Sequence, residues 1–166
     1  MSEHNSAAWP LLFTYSGTTI GQGFLASVNF CGRLLAWSET EGVWLDGVNP
    51  GGFAVGGKSL DEANVALRDT LLKVLVAFAA EAGSFDEFKA AVTRFYYETD
   101  SETVAWWEAS LEAFKAGVLP VPSGLQRKPP EWQCFITIEP KRLEDLTARD
   151  NPISRSAANT DLAKAA

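Results

Sequence analysis

Apolar and polar residues alternate in the first third of the chain, and this alternation predicts an antiparallel sheet. In residues 24–30 the side chains of Phe24, Ala26, Val28 and Phe30 fall on one face, and polar side chains fall on the other. A period of two residues is typical of a strand that is buried on one side. We therefore expect a strand at residues 24–30.

The neighbouring segments extend this sheet. Residues 9–15 predict a short edge strand, because Pro10 suits an edge, and the glycines that follow at 17, 21 and 23 predict a loop. A tight hairpin connection is expected at residues 31–33. Further strands are expected at residues 34–38, 43–48 and 53–55, with glycine-containing turns at 39–42 and 49–52. The result is an antiparallel β-meander of at least four strands.

Three helices follow, each with a start signal. Ser59 and Glu62 form a capping box, in which Ser59 accepts from the Glu62 amide and the Glu62 carboxylate reaches back to the Ser59 amide. The helix at residues 60–82 is expected to be deeply buried. Its predicted apolar row is Ala63, Leu67, Leu71, Val74 and Phe78, widened by Leu72, Val76 and Ala79. Further helix starts at residues 84–87 and 99–102, and a stop at Gly117, predict a two-helix insertion over residues 84–117.

The remaining segments complete the predicted organisation. Four prolines make residues 118–130 a stiff connector, and residues 132–138 (WQCFITI) predict a last strand that returns to the sheet. The chain then reads as a disordered leader at 1–8, one α+β domain at 9–140 and a flexible tail at 141–166. The fold class is α+β, with a β-meander packed on a long helix.

Composition limits the function classes. The formal net charge is −7 and the isoelectric point about 4.7, so we expect no nucleic-acid partner, because an acidic surface repels phosphates. The acidity suits a basic protein partner or simply keeps the chain in solution. No signal peptide or membrane-spanning stretch is found, and Cys31 and Cys134 are expected to be reduced, so we expect a cytoplasmic protein.

The residues of the chain give little support for a standard catalytic site. The single histidine, His4, lies in the leader, which argues against Ser-His and Cys-His nucleophilic sites and most zinc sites. The acidic residues are mostly placed in turns and helix caps. We therefore expect no catalytic residues, no metal, no cofactor and no enzymatic activity.

One glycine-rich string keeps an enzymatic alternative open. The residues from Gly52 to Ser59 read GFAVGGKS and match the P-loop pattern G-x-x-x-x-G-K-[ST]. A true P-loop joins a buried parallel strand to its helix, whereas the strands expected here are antiparallel. The preferred interpretation is a coincidental match, and the alternative is a small Mg²⁺-dependent nucleotide hydrolase that uses this string.

Adjacent aromatic residues suggest a second alternative. Trp106 and Trp107 are neighbours on a predicted helix, as are Tyr96 and Tyr97, so the two members of each pair cannot face the same core. Core packing is the default interpretation. The alternative is a homo-oligomeric structural protein that associates through these four side chains.

The segment from residue 33 to residue 78 resembles the N-terminal domain of HicB-type antitoxins. The matching pieces are WSETEG (37–42), VWLDGVNPGG (43–52), FAVGG (53–57) and SLDEA (59–63), in the order and spacing of that family. The resemblance implies a degenerate ribonuclease-H-like fold without catalytic carboxylates. It also implies that the protein masks a small, basic, RNA-cleaving toxin.

The expected function is therefore a non-enzymatic HicB-like protein-binding module, with a basic toxin-like protein as partner and a possible homo-oligomer. No DNA-binding motif follows Ile138, so DNA binding is not expected. The predicted partner-binding residues lie around the third and fourth strands of the meander. They are Trp44, as anchor, with Asp46, Asn49 and Phe53.

Overall fold

The computed structural model describes residues 7–119, 126–127, 134–142, 144–145 and 159–164; for 126–127 and 159–164 it describes the backbone alone. The order of elements is β1 (Ala8–Gly21), β2 (Phe24–Glu39), β3 (Gly42–Asn49), β4 (Gly51–Gly57), α1 (Leu60–Glu81), α2 (Phe85–Tyr97), α3 (Ser101–Lys115), β5 (Gln126–Arg127), β6 (Ile136–Lys141) and β7 (Asn159–Lys164). The predicted α+β class, with a β-meander followed by helices, is confirmed.

The seven described strands form one sheet in the order β4-β3-β2-β1-β7-β5, and β6 pairs with β2. Strand β2 has two partners on one side, because its first half pairs with β6 and its second half with β3. Strand β1 pairs antiparallel with the whole of β2. The β2–β3–β4 part of this sheet is the meander on which the predicted partner site lies.

The first two strands are longer than the sequence predicted. Strand β1 has 14 residues and a neighbour on each side, so it is not a short edge strand, and β2 runs unbroken for 16 residues through the predicted hairpin at 31–33. Gly32 therefore has a packing function instead of a turning one. A Cβ atom at Gly32 would lie 2.5 Å from Cε1 of Phe13, and it would also overlap the carbonyl oxygen of Asn49.

Helix α1 covers one face of the sheet through a row of residues with helical spacing. Its buried residues are Ala63, Leu67, Leu71, Leu75 and Ala79. The predicted row contained Val74 and Phe78 instead of Leu75, and it included Val76, which is 50 % exposed. The helix is therefore amphipathic, with one buried face, and not deeply buried all round.

The sheet separates two hydrophobic clusters. The larger one lies beneath α1 and α2 and includes Phe13, Tyr15, Phe30 and Phe88. The smaller one lies beneath α3, where Leu12, Leu35 and Val48 pack on Trp107. The even-numbered residues of β2 in these clusters belong to the larger one, and the odd-numbered residues belong to the smaller one. This follows from the alternation of side chains along a strand. The two helices of the predicted insertion therefore lie on opposite faces of the sheet, α2 on the same face as α1 and α3 on the other.

The predicted helix caps are present with one change of partner. Ser59 Oγ accepts from the Glu62 amide at 3.2 Å, but the Glu62 carboxylate accepts from the amide of Lys58, not from that of Ser59. The cap of α2 has the same arrangement. Ser84 Oγ accepts from the Glu87 amide, and the Glu87 carboxylate accepts from the amide of Gly83, the residue before the serine. At α3, hydrogen bonds from Thr103 to the Asp100 carboxylate lower the pKa of that group.

The C-terminal part of the chain departs from the predictions. The returning strand is β6 at Ile136–Lys141, instead of residues 132–138, and Pro140 lies within it opposite Ala26. Residues 159–164, predicted as flexible tail, form β7 and pair with β1 at Leu11–Ser16. The buried edge of β1 needs backbone partners, and this need outweighs the weak β-propensity of the tail.

Some predictions lie outside the described residues. They include residues 1–6 of the leader, Trp132 of the last strand, and most of the connector and tail. Ala8, assigned to the leader, begins β1. Among the helices of the described residues, none combines the length and apolar character needed to cross a membrane.

Two buried tyrosines beneath α1 and α2 differ in their hydrogen bonds. The Tyr96 hydroxyl donates to the carbonyl oxygen of Cys31 at 2.9 Å, whereas the Tyr15 hydroxyl has no partner among the described residues. Burial raises the pKa of Tyr15 to about 12 from its ordinary value of 10.0, and burial also raises the pKa of Tyr96. The two phenols therefore ionise at lower pH in the unfolded chain than in the folded one. The free energy of unfolding falls as the pH rises above 10.0.

Substitution of each tyrosine by phenylalanine is expected to have opposite effects. Tyr15→Phe should keep the free energy of unfolding at pH 7 or raise it by up to about 1 kcal/mol, because it removes a buried hydroxyl that has no partner. Tyr96→Phe should lower it by about 1–2 kcal/mol, because the Cys31 carbonyl loses a donor. Urea unfolding measures both, and at about pH 11 Tyr15→Phe should lose less stability than the wild type. Equal losses in the two variants at pH 7 would contradict this assignment.

Candidate functional site

Two tryptophans face each other across the β2–β3 hairpin. Trp37 and Trp44 are register partners, and their rings are stacked with centroids 5.9 Å apart and an interplanar angle of 17°. The pairing follows from their equal distance from the centre of the turn, and aromatic cross-strand pairs stabilise hairpins. Trp37 is half-buried beside the α3 cluster, whereas 38 % of Trp44 is exposed. Part of an ordered indole is therefore open to solvent.

A carboxylate lies beside this pair. Asp46 follows Trp44 by two residues on β3, so both side chains lie on the same face of the sheet. The indole nitrogen of Trp37 donates to Oδ2 of Asp46 at 3.0 Å. This bond fixes the orientation of the carboxylate next to the aromatic rings.

Strand β4 completes the site by making room for Trp44. Gly56 is the register partner of Trp44, and a Cβ atom there would lie 2.9 Å from Cε3 of the indole. The tryptophan can therefore lie close against the β4 backbone. We call the surface formed by Trp37, Trp44, Asp46 and Gly56 the Trp44 surface.

The borders of the Trp44 surface are acidic and open. The adjoining β2–β3 turn carries Glu39 and Glu41, both of which are exposed. Among the described strands, β4 pairs with β3 alone. Its outer edge can therefore offer backbone hydrogen-bonding groups to another chain.

Asn49, one of the predicted partner-binding residues, is buried in the structure. Its side-chain amide donates to the carbonyl oxygen of Tyr96, and the amide of Gly51 donates to the carbonyl oxygen of Glu98 at 3.0 Å. These bonds tie the β3–β4 turn to the end of α2. The position of Asn49 favours a structural function.

Phe53, the fourth predicted residue, lies on the other face of the sheet. It packs against the cluster beneath α1, and its ring occupies the space that a side chain at Gly47 would need. The structure therefore brings Trp44 and Asp46 together and separates Asn49 and Phe53 from them. Trp37, which the sequence analysis did not single out, joins them. Its mirror-image position about the turn was the signal that could have identified it.

The glycine-rich string from Gly52 to Ser59 forms most of β4 and the cap of α1. The Lys58 amide donates to Glu62, and the Ser59 hydroxyl accepts from the Glu62 amide. A P-loop wraps phosphate with backbone amides that have no other acceptor. Here a phosphate would meet the Glu62 carboxylate, so the geometry does not favour the nucleotide-hydrolase alternative.

A small apolar cavity lies near the same junction, on the α1 side of the sheet. It has a volume of about 140 Å³ and is lined by Trp9, Leu11, Ala36, Ser38, Val43 and Leu60. Ligand pockets usually measure about 300–1,000 Å³ and contain several polar groups. Within the described part of the chain, no group of three or more His, Cys, Asp or Glu side chains is placed to hold a metal ion.

The four aromatic residues of the oligomer alternative do not form one surface. Tyr96 and Trp107 are buried in the two separate clusters. Trp106 packs on the α3 side, and Tyr97 of α2 is 65 % exposed. Self-association through this set stays a prediction without a shared patch to support it.

The Trp44 surface is thus the candidate functional site in the described part of the chain. It combines an exposed aromatic ring, an oriented carboxylate and an adjacent strand edge. No protein-family model, curated protein or solved structure matches this chain.

Proposed function

We propose that this chain is a non-enzymatic, HicB-like protein-binding module that uses the Trp44 surface to mask a small basic protein. The single observation that carries the proposal is the stacked Trp37–Trp44 pair with Asp46 beside it. Stacked and hydrogen-bonded side chains lose little conformational freedom on binding, so they suit a contact surface.

The chemistry of this surface suits an arginine or lysine of the partner. A guanidinium group over the face of a tryptophan is attracted by the ring quadrupole, and a nearby carboxylate adds charge attraction. Tryptophan is also among the residues that most often dominate binding at interfaces. The exposed Glu39 and Glu41 on the turn extend the negative charge around the same point.

The charge of the whole chain agrees with a basic partner. The formal net charge of −7 increases the encounter rate with a positively charged protein and disfavours nucleic acid. The HicB resemblance covers the hairpin that carries Trp37 and Trp44. It suggests a small RNA-cleaving toxin as the partner, and the cytoplasm as the place where masking occurs.

Trp44→Ala is expected to weaken the complex by about 30-fold or more, because a central tryptophan typically contributes about 2 kcal/mol or more. The genes on either side would first be searched for one that encodes a short basic protein. The chain would be co-expressed with that protein, and the dissociation constant would be measured by calorimetry. Asp46→Asn, which keeps the shape of the side chain, should weaken binding mainly at low salt.

Tyr97→Ala is the matched control, since it removes an exposed aromatic ring from α2, away from the Trp44 surface. It should change the dissociation constant by less than about threefold. A partner that binds the Trp44→Ala and wild-type chains equally would exclude the Trp44 surface. If no neighbouring gene encodes a short basic protein, or if such a protein forms no complex with the chain, this would count against the antitoxin function itself.

A further inference from the structure

The two cysteines of the chain are brought together by the return of the chain to the sheet. Strand β6 pairs with β2 up to Phe30 and Ile136. Beyond this pair, the Cys31 amide donates to the Phe135 carbonyl oxygen at 3.0 Å, and the Phe135 amide donates to Sγ of Cys31 at 3.1 Å. The thiol of Cys31 thus contacts the peptide group that joins Cys134 to Phe135.

The separation of the two residues is compatible with a disulfide. Cys31 lies opposite Phe135, so Cys134 is its diagonal neighbour. Strand geometry places such neighbours about 6–7 Å apart between Cα atoms, and disulfides span about 4.4–6.8 Å. In regular strands, the side chains of diagonal neighbours point to opposite faces of the sheet. Residues 134 and 135 are outside β6, however, and the Cys31 thiol already points toward the Cys134 peptide.

The two thiols differ in their access to solvent. Cys31 is fully buried, whereas Cys134 is exposed, and both are present as thiols. An oxidant in solution can therefore reach Cys134 directly but not Cys31. An exposed cysteine next to a second, resolving cysteine is the usual arrangement of a reversible oxidation site.

We propose that Cys31 and Cys134 form an oxidation site at which hydrogen peroxide converts the two thiols into a disulfide. The Cys134 thiolate attacks one peroxide oxygen, the O–O bond breaks, and the sulfur becomes a sulfenic acid while the other oxygen leaves as water after protonation. The Cys31 sulfur then attacks the sulfenic sulfur, its proton is lost, and the hydroxyl leaves as a second water. Two thiols and one peroxide give one disulfide and two waters.

The disulfide would join the middle of β2 to the chain just before β6. It would close a loop that contains β3, β4 and all three described helices, so it would strongly restrict the unfolded chain. The backbone at Cys31 also accepts the Tyr96 hydroxyl, so the crosslink would form where α2 contacts the sheet. This proposal does not depend on the Trp44 surface or on the identity of a partner.

The test is oxidation of the full chain, at low micromolar concentration, with a small excess of hydrogen peroxide. We expect both thiols to be lost together, the mass to fall by that of two hydrogen atoms, and a crosslinked peptide pair containing Cys31 and Cys134 to appear. The melting temperature should rise by roughly 5–10 °C, and dithiothreitol should reverse every change.

Cys134→Ser is the control, because an exposed serine should leave the fold intact. It should keep the buried Cys31 thiol unreactive and show no rise in melting temperature. The proposal would be overturned if the wild-type chain accumulated sulfinic or sulfonic acid at Cys134 without a crosslink. It would also be overturned if the only disulfide formed joined the Cys134 residues of two chains.

Discussion

Replacing Gly32 with alanine is expected to lower the free energy of unfolding by about 3 kcal/mol, because the added methyl group has no space. A Cβ atom there would lie 2.5 Å from Cε1 of Phe13, whose side chain is fully buried, and would overlap the Asn49 carbonyl oxygen. The carbonyl belongs to β3 and cannot rotate away, and the phenylalanine is enclosed by the cluster beneath α1. Either β2 and β3 must separate locally, or the core must repack.

Gly83→Ala is the control for this substitution. The nearest atom to a Cβ at Gly83 is Oε2 of Glu87 at 3.2 Å, at the end of an exposed side chain that can shift slightly and keep its hydrogen bond from the Gly83 amide. This variant should stay within about 0.5 kcal/mol of the wild type in urea unfolding. If Gly32→Ala were equally mild, the close packing of Gly32 against Phe13 and the Asn49 carbonyl would be contradicted.

Leu75→Ala is expected to lower the free energy of unfolding by about 3 kcal/mol, since a large buried side chain would be replaced by a cavity. Leu75 lies on the buried face of α1, with 2 % of its surface exposed. Val76→Ala, one residue further along the same helix, should change stability by less than about 0.5 kcal/mol, because Val76 is half exposed and alanine favours helices.

The comparison between these neighbours distinguishes two orientations of α1. The predicted apolar row included Val76 and omitted Leu75, whereas the structure buries Leu75 and exposes part of Val76. A larger loss for Val76→Ala than for Leu75→Ala would require the helix to be rotated on the sheet. Circular dichroism would show that both variants keep their helices.

The apolar row of α1 was ambiguous because the helix carries apolar residues around much of its circumference. Leu72, Val74, Leu75, Val76 and Phe78 lie within two turns of each other. Periodicity alone allows several rows of these side chains to face the sheet. Contacts with β1, β3 and β4 select one of these rows, and β1 and β3 are not adjacent to the helix in sequence.

The candidate site was predicted in part for a similar reason. Trp44 and Asp46 lie on one strand two residues apart, so a period of two is enough to place them on one face. Trp37 joins them only through the register of the hairpin. Asn49 is not part of the site because it ties the β3–β4 turn to α2. Phe53 is not part of it because, after the chain reverses at that turn, its side chain lies on the other face of the sheet.

The helix starts and the β2–β3 and β3–β4 turns were the features that the amino-acid order specified directly. Ser59 and Ser84 cap α1 and α2 as predicted, because a cap depends on a side chain and an amide three residues away. The tertiary structure decided which strands continue, as β2 does through Gly32, and which tail segment pairs with β1. These outcomes depend on backbone hydrogen bonds and packing between segments far apart in the chain, which local patterns do not encode.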